Sequence, residues 1–483
     1  MKKPSAIYAV ILLQIFLPVF LSCGNSSYFP GKPVNSGPAI GGFDSSDYGY
    51  AVYDIENSAL VMDHNINSAF IPASVTKLMT SVFALETLGK GYRFSTDILH
   101  TGSIEEGIIR GDLYIKGSGD PELSAYSLSL MAAGMRSKKI RGLTGGFYYD
   151  ESIMPGEDHL DPGMSDCATY NSGIGAINLN KNAINLVRRS GSDGSFTYEF
   201  VPSVPSITFV TYDEKPVFPF VSYSFTSGRE IWKVPSVKVL SSRHTLPVKK
   251  TALFTAWNFY NMCMINGIKL NEPRPGKTPD NAELLYRHRS RPLQEIIPDM
   301  LQESDNLTAE VLGRAALSKY RGADFSLSFT DAASEFFRHE FPLVGWEGFI
   351  INNASGLSSA SRITPEETVT VLISLYHNYG IENMLSMSGE SGTLRNRLEE
   401  PGTIYRVYGK TGTIFYASAL AGLVYGSSGR RYIFAVFIND RKRRSHIDSK
   451  ASKGLNDSIE AGRWTKRATD AIDKFVEGII SIL

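Results

Sequence analysis

Residues 71–79 read IPASVTKLM and open a segment whose apolar residues recur at helical spacing. The apolar stripe consists of Val75, Leu78, Met79, Val82, Phe83, Leu85 and Leu88. Gly89 follows the stripe, and glycine commonly ends a helix. Ser74 and Lys77 are three positions apart, so a helix places them on one face, one turn apart. The stretch therefore predicts a helix with a hydroxyl and an amine at its start.

Two other short motifs follow along the chain, Ser304-Asp305-Asn306 and Lys410-Thr411-Gly412. The patterns S-x-x-K, S-x-N and K-T-G each occur once in the sequence. A lone S-x-x-K on a helix is far more often a helix cap with a solvated lysine than a catalytic pair. The three motifs together, in this order, resemble the signature of penicillin-binding proteins and serine β-lactamases.

The chemistry of a serine nucleophile explains why these residue types occur together. A serine hydroxyl is a weak nucleophile at its own pKa and needs a base within hydrogen-bond reach, which a neutral Lys77 can supply. A second cation nearby favours that neutral state, and Lys410 is the candidate. The strand that carries Lys410 would offer the hydroxyls of Thr411 and Thr413 to a substrate carboxylate. Backbone N–H groups would stabilise the developing oxyanion.

The resemblance extends to strings around and between the motifs. These strings are IPAS at 71–74, KLMT at 77–80, GDL at 111–113, GDP at 119–121, SDN at 304–306, AE at 309–310, SGLS at 355–358, GTL at 392–394 and GKTGT at 409–413. Over roughly residues 48–440 the chain resembles the D-Ala-D-Ala carboxypeptidase/endopeptidase family, the type-4 low-molecular-mass penicillin-binding proteins.

The resemblance implies roles for individual residues. The oxyanion donors would be the amides of Ser74 and Thr413, Ser304 would pass a proton towards the leaving amine, and Asn306 would hold the substrate backbone. The catalytic residues would be Ser74, Lys77, Ser304, Asn306 and Lys410, and the substrate-binding residues Thr411, Gly412 and Thr413. The family's chemistry requires no cofactor.

The fold class that the sequence and the resemblance predict is α/β of the α+β kind, a penicillin-binding transpeptidase or serine β-lactamase-like domain. Its five-stranded antiparallel sheet would be flanked by helices. Ser304 follows Lys77 by 227 residues, which exceeds what one such domain needs, so about 150 or more residues must be inserted. Short Thr-, Tyr- and Val-rich runs broken by Gly, Ser and Pro predict a strand-rich insert.

The domain organisation follows from that insert. Residues 48–91 and 286–483 would form the catalytic domain, and residues 92–285 the insert, with a nested subdomain at about 166–245. The other predicted elements are helices at Pro292–Met300, Leu307–Tyr320 and Trp464–Leu483 and a hairpin of Ala417–Tyr425 with Arg431–Ile438.

Two positions bear on substrate side-chain contacts. Residues 353–359 read NASGLSS where the family usually has Asp-Gly-Ser-Gly-Leu-Ser-Arg, so an acidic and a basic group are missing. Asp150 matches an insert position that the family uses near the amino end of the stem-peptide side chain. A solvated loop acid is the alternative reading of Asp150.

Residues 1–22 have the pattern of a signal peptide, with a basic start at Lys2 and Lys3 followed by the mostly apolar Ala6–Leu21. The end of this run resembles the bacterial lipoprotein box, in which Cys23 would be lipidated and would anchor the chain to a membrane. An ordinary cleaved signal with a chance cysteine is the alternative. Residues 23–47 lack periodicity and predict a flexible tether. We therefore expect an exported protein of the periplasm or cell envelope.

The composition of the 483 residues excludes other classes of protein. Lys plus Arg and Asp plus Glu both number 49, so no global field draws the chain to nucleic acid. Three cysteines are too few for a disulfide scaffold, and both a Cys167–Cys263 pair and two free thiols remain open. The eight histidines show no zinc spacing, so we expect no metal site.

The sequence thus predicts a serine-type D-Ala-D-Ala carboxypeptidase, an endopeptidase, or both, acting on peptidoglycan stem peptides through an acyl-enzyme on Ser74. The stem peptides would end in D-Ala-D-Ala or be cross-linked, and β-lactams would acylate the same serine as inhibitors. The alternatives are a β-lactamase or esterase on the same scaffold and a catalytically silent peptidoglycan-binding envelope protein. The large insert disfavours the first, and the intact motifs disfavour the second.

Overall fold

The computed structural model describes residues 35–193, 195–322, 328–450 and 454–483. The strands are β1 (Asn35–Ser36), β2 (Tyr48–Asp54), β3 (Ala59–His64), β4 (Ser95–His100), β5 (Ile104–Glu105), β6 (Ile108–Ile109), β7 (Leu113–Gly117), β8 (Gly142–Leu143), β9 (Phe147–Asp150), β10 (Ala183–Ser190), β11 (Phe196–Val201), β12 (Ile207–Tyr212), β13 (Ser222–Thr226), β14 (Arg229–Pro235), β15 (Arg243–Pro247), β16 (Pro273–Pro275), β17 (Glu283–Arg289), β18 (Ser386–Met387), β19 (Val407–Ile414), β20 (Ala417–Tyr425) and β21 (Arg431–Asn439). The helices are α1 (Thr76–Leu88), α2 (Ala125–Ser137), α3 (Thr251–Ile265), α4 (Leu293–Glu303), α5 (Asn306–Arg321), α6 (Phe329–Glu340), α7 (Pro365–Tyr379), α8 (Arg441–Asp448) and α9 (Leu455–Ile482).

The largest sheet has the strand order β1-β3-β2-β21-β20-β19-β18. Five of its strands, from β3 to β19, pair antiparallel, as the sequence predicts. The two-residue strands β1 and β18 extend the sheet at its edges. The predicted hairpin corresponds to β20 and β21. The five-stranded sheet that the resemblance implies does not include β1 and β18, and strands this short carry no readable alternation in the sequence.

Helices cover both faces of this sheet. Alternate residues of a strand point to opposite faces. Ala419, Ala421 and Leu423 of β20 therefore join the core cluster that includes α1 and α7, whereas Leu420 and Val424 pack with α9. Such two-sided burial accounts for the continuous apolar runs in β20 and β21. The amphipathic closing helix is confirmed as a core-packing element, although α9 begins nine residues before the predicted Trp464.

The region between α1 and α4 is rich in strands, as the sequence predicts. A five-stranded sheet has the order β16-β9-β7-β4-β17, and three smaller sheets accompany it. Strand β4 enters this region and β17 leaves it, and the two pair antiparallel from Ser95↔Arg289 to Glu283↔His100. The entry and exit of the insert therefore lie side by side, which lets a large segment be inserted without separating α1 from α4.

The observed elements shift the predicted domain limits. The boundary expected between residues 285 and 286 falls inside β17 (Glu283–Arg289), so the sheet of the insert ends a few residues later. Within the expected nested segment 166–245, the strands run from Ala183 to Pro247, whereas residues 166–179 contain no helix or named strand and Asn180–Asn182 form a 3-10 turn. The division into domains itself stays a prediction.

The predicted signal peptide and Cys23 lie outside the described residues. Residues 37–47, expected as part of a flexible tether, pack on the catalytic sheet, where Ile40 is buried. The ring of Phe43 meets that of Trp464 edge-on at 6.0 Å. Cys167 and Cys263 are free thiols, which settles the open question of their pairing. Among the described residues, no helix combines the length and apolar character needed to span a bilayer.

Candidate active site

Ser74 lies in a short 3-10 turn, Ala73–Val75, directly before α1. Ala73 has a φ of 46°, a left-handed conformation that disfavours residues with a side chain. The chain entering the turn is fixed by Asn439 at the end of β21, whose side-chain oxygen accepts from the Ile71 N–H at 2.6 Å. Its amide also donates to the Ile71 carbonyl at 3.3 Å. The serine therefore stands on a strained turn that its neighbours hold in place.

The side chain of Lys77 is fully buried and has three hydrogen-bond acceptors. Its Nζ donates to Ser74 Oγ at 2.9 Å, to Asn306 Oδ1 at 2.7 Å and to the Ser355 carbonyl at 2.7 Å. Burial lowers the pKa of Lys77 to about 7, against the opposing charges of Asp305 and Glu310. Near neutral pH, a large share of Lys77 is therefore uncharged and able to accept the proton of Ser74.

Lys410 is the second buried lysine of the site. It lies on β19, and its Nζ donates to Ser304 Oγ at 3.0 Å and to the Thr411 carbonyl at 2.8 Å. Burial first and the neighbouring Lys77 second lower the pKa of Lys410 well below its usual value. The sequence predicts a charged Lys410 that keeps Lys77 neutral. In the structure, burial is the largest cause of the lowered pKa of both Lys77 and Lys410.

The turn between α4 and α5 carries Ser304, Asp305 and Asn306. Ser304 adopts a left-handed conformation with a φ of 57° and ends α4. Asp305 caps α5 because its Oδ1 accepts from the Thr308 N–H at 2.9 Å. Ser304 therefore faces Lys410 while Asn306, two residues on, faces Lys77. We call Lys77, Ser304, Asn306 and Lys410 the catalytic floor.

Gly412 brings β19 against the turn that carries Ser74. A Cβ atom built on Gly412 would lie 2.4 Å from the Pro72 carbonyl oxygen and 3.3 Å from the Ser74 nitrogen. Strand β18 pairs with β19 only at Tyr408 and Gly409. The described strands therefore leave the outer edge of β19 from Lys410 onward free of a partner strand, beside Ser74.

A cleft of about 240 Å³ opens next to the catalytic floor. One side consists of residues 303–307 from the α4–α5 turn. The other side comes from the insert and is formed by Leu160, Thr169, Tyr170, Ser172 and Lys181, which we call the insert wall. The two sides touch where the Asn306 side-chain amide donates to the Tyr170 carbonyl at 3.2 Å. The insert thus forms part of the site.

Comparison with known proteins identifies the family. Residues 38–460 match the model of the D-Ala-D-Ala carboxypeptidase 3 (S13) family. The chain belongs to this family. The D-alanyl-D-alanine carboxypeptidase DacB of Haemophilus influenzae is 25% identical over 422 residues, which cover 82% of this chain and 86% of the relative.

Solved structures agree with the family in fold. The crystal structure of penicillin-binding protein 4 (dacB) from Haemophilus influenzae superposes with a TM-score of 0.71 at 22% identity and covers 88% of this chain and 100% of that chain. A second structure of the same protein, complexed with a β-lactam, has a TM-score of 0.69 at 22% identity and covers 89% and 94%. The predicted fold class and the predicted class of enzyme, a penicillin-binding serine peptidase of the D-Ala-D-Ala carboxypeptidase type, are confirmed.

The structure contradicts one of the two expectations for Asp150. It ends β9 in the insert and is buried, so it is no solvated loop acid. Its carboxylate accepts from the Ser152 N–H at 2.9 Å and the Thr278 N–H at 2.8 Å, and Lys116 Nζ lies 3.9 Å away. Burial raises the pKa of Asp150, but these hydrogen bonds outweigh it and leave that pKa below its usual value. A substrate contact for Asp150 stays a prediction.

Three residues of the site carry no role in the sequence prediction. Glu310, one turn after Asn306 on α5, is buried and accepts from the Ser355 N–H at 2.8 Å, which orients the Ser355 carbonyl towards Lys77. Gly356 has a φ of 78°, and a Cβ there would lie 1.9 Å from the Ala73 carbonyl oxygen. The i, i+4 spacing of Asn306 and Glu310 is a signal that could have identified Glu310. The Ser355 carbonyl, a backbone group, offers no such signal.

Proposed function

We propose that the protein hydrolyses peptidoglycan stem peptides as a serine-type D-Ala-D-Ala carboxypeptidase or endopeptidase, with Ser74 as the nucleophile. The observation that carries the proposal is the buried Lys77 Nζ, which is hydrogen-bonded to both Ser74 Oγ and Asn306 Oδ1. A lysine whose pKa is near the working pH is suited to act as a general base. Each motif residue of the catalytic floor then has a defined task.

Acylation begins when neutral Lys77 takes the proton of the Ser74 hydroxyl. Ser74 Oγ forms a bond to the carbonyl carbon of the penultimate D-Ala, and the backbone N–H groups of Ser74 and Thr413 stabilise the oxyanion. The bond between that carbon and the next nitrogen then breaks. Ser304, which lies 3.0 Å from Lys410 Nζ, gives its proton to the departing nitrogen. Ser304 is then reprotonated by the proton that Lys77 took from Ser74, so that Lys77 is neutral again and Ser304 is again a hydroxyl. The result is an ester on Ser74 and a free amine.

Deacylation reverses the roles of the same groups. Lys77 takes a proton from water, the hydroxide oxygen bonds to the ester carbon, and Ser74 Oγ leaves with the proton. A departing terminal D-Ala makes the reaction that of a carboxypeptidase. A departing amine from a cross-linked neighbouring stem makes it that of an endopeptidase. The catalytic floor serves both reactions with the same chemistry.

Strand β19 supplies the substrate-binding edge. A peptide lying along its free edge from Lys410 onward would add a strand to the sheet. Its terminal carboxylate would accept hydrogen bonds from the Lys410 amine and from the hydroxyls of Thr411 and Thr413. Gly412 serves this arrangement because only a residue without a side chain lets β19 approach the Pro72 carbonyl.

Labelling with a fluorescent penicillin tests the proposal. We expect a long-lived adduct that peptide mass mapping places on Ser74 and that Ser74→Ala abolishes. Ser81→Ala is the matched control, because Ser81 lies on the same helix and its hydroxyl bonds only the Lys77 carbonyl, at 2.7 Å. An unchanged label in Ser74→Ala would overturn the proposal. Rapid release of hydrolysed penicillin would favour a β-lactamase instead.

Action on peptidoglycan implies a location in the cell envelope. Export through the residue 1–22 signal and lipidation of Cys23 are part of this proposal and are supported by the sequence pattern of the N-terminus. The expected result is membrane-associated protein that Cys23→Ala converts to a form released in the soluble envelope fraction. Membrane association that persists in this variant would contradict the lipid anchor.

A further inference from the structure

A strained turn of the insert reaches the α4–α5 turn of the catalytic region. Asn180, Lys181 and Asn182 have φ values of 49°, 58° and 51°, so three consecutive residues with side chains adopt the left-handed conformation. Such a conformation is unfavourable for lysine, although asparagine tolerates it better, and three such residues in a row persist where the surroundings enforce them. An observed outlier of this kind is a reason to ask what the turn holds in place.

Neighbouring groups enforce the conformation of this turn. The Asn180 side-chain oxygen accepts from the Ala125 N–H at 3.1 Å, at the start of α2. Asn182 is buried, and its side chain accepts from the Leu179 N–H at 3.0 Å and donates to the Gly173 carbonyl at 2.9 Å. The residues on either side of Lys181 are thus fixed, and Lys181 alone of the three extends into the cleft.

The Lys181 ammonium group contacts Asp305, the middle residue of the Ser304–Asn306 turn. Its Nζ donates to Asp305 Oδ2 and lies 3.5 Å from Thr308 Oγ1. The other carboxylate oxygen of Asp305 caps α5. Lys181 is half exposed, so this ion pair adds little to overall stability. Its effect is local, because it ties the residue between Ser304 and Asn306 to the insert wall.

The ion pair also bears on the charge balance around Lys77. The charged groups that act on Lys77 are Asp305 and Glu310, from the cap and body of α5, and the neighbouring amine is Lys410 on β19. Negative charge on Asp305 raises the pKa of Lys77. A cation on Asp305 offsets that charge and so favours the neutral, basic form of Lys77.

We propose that Lys181 is a positioning residue for the acylation reaction. By pairing with Asp305, it keeps the side chains of Ser304 and Asn306 within hydrogen-bond distance of the two buried lysines, and it offsets the Asp305 charge beside Lys77. This inference rests on the proposed function. According to this inference, the insert raises the rate of acylation through Lys181, whose side chain touches neither the substrate nor the nucleophile.

The test measures the second-order rate of penicillin acylation across pH in the full chain. We expect Lys181→Met to lower the rate at pH 7 about tenfold and to move the rising limb of the profile about half a pH unit upward. Lys181→Arg restores a cation and should recover the rate to within about twofold. Arg189→Met removes a similarly exposed cation elsewhere on the insert and serves as the control.

A double-mutant cycle separates this role from a general structural one. If Lys181 acts through Asp305, Lys181→Met has no further effect on the rate in the Asp305→Asn background, where asparagine still caps α5. Unchanged thermal unfolding of Lys181→Met would show that the variant is folded.

An unaltered rate and pH profile in Lys181→Met would overturn this inference. So would equal losses with and without Asp305. Either outcome, with Ser74 still labelled in the wild type and unlabelled in Ser74→Ala, would leave the proposed function standing. Loss of the wild-type label from Ser74 would remove the proposed function itself.

Discussion

The catalytic floor and the insert wall each present a lysine to the same turn, but they bury it differently. Lys77 has no exposed surface, and its pKa falls to about 7, whereas the Lys181 side chain keeps 53% of its surface exposed. Lys77 Nζ lies 2.9 Å from Ser74 Oγ, whereas Lys181 Nζ contacts Asp305 and, at 3.5 Å, Thr308 Oγ1. Burial, rather than residue type, therefore decides which lysine can act as a base and which acts as a fixed cation.

The strongest test of this contrast removes the buried amine. We expect Lys77→Met to lower the penicillin acylation rate about a thousandfold or more, since the nucleophile loses its base. Lys77→Arg should be similarly impaired because a guanidinium group stays protonated. The readout is the rate of covalent label formation by stopped-flow fluorescence.

The control for this comparison is Lys90→Met, which removes an exposed lysine after the end of α1. We expect its acylation rate to match that of the wild type. A Lys77→Met rate within about tenfold of the wild type would show that another group activates Ser74.

A smaller loss of acylation rate is expected when both lysines of the catalytic floor are kept but the turn that carries Ser74 is displaced. The methyl group of Gly412→Ala would lie 2.4 Å from the Pro72 carbonyl oxygen, a backbone atom that cannot move without displacing that turn. A misplacement of about 1 Å costs about a hundredfold in rate, and we expect a loss of that size. Gly402→Ala is the matched control because no atom lies within 4 Å of a Cβ built there. Equal acylation rates in both variants would refute the tight packing.

The sequence predicts the floor well because its motifs are local. The spacing of Ser74 and Lys77 on one helix face needs only the helical period, and the K-T-G motif is recognised as three consecutive residues. The partners that complete the site come from far along the chain, as in the Lys77–Asn306 hydrogen bond between residues 229 positions apart. Their meeting depends on the family resemblance, since no local pattern encodes it.

The insert wall shows where prediction from the sequence stops. The insert wall contacts Asn306 through the backbone carbonyl of Tyr170. Every residue has a backbone carbonyl, so the residue type does not predict this contact. Lys181 stands in an Asn-Lys-Asn string that resembles any polar turn, and its role appears only once the left-handed conformation and the Asp305 contact are seen. The sequence also did not predict that Ile40 and Phe43 pack on the catalytic sheet, because the neighbouring residues are rich in Gly and Ser.

The most direct test of the central claim is the pH dependence of the acylation rate between pH 5.5 and 10.5. If the neutral form of Lys77 is the active one, the rate rises with pH and levels off above an inflection near 7, the pKa to which burial lowers Lys77. Below the inflection, the rate should fall about tenfold per pH unit. An inflection near 10, the ordinary range of an exposed lysine, or a rate independent of pH would contradict the claim that burial makes Lys77 the base.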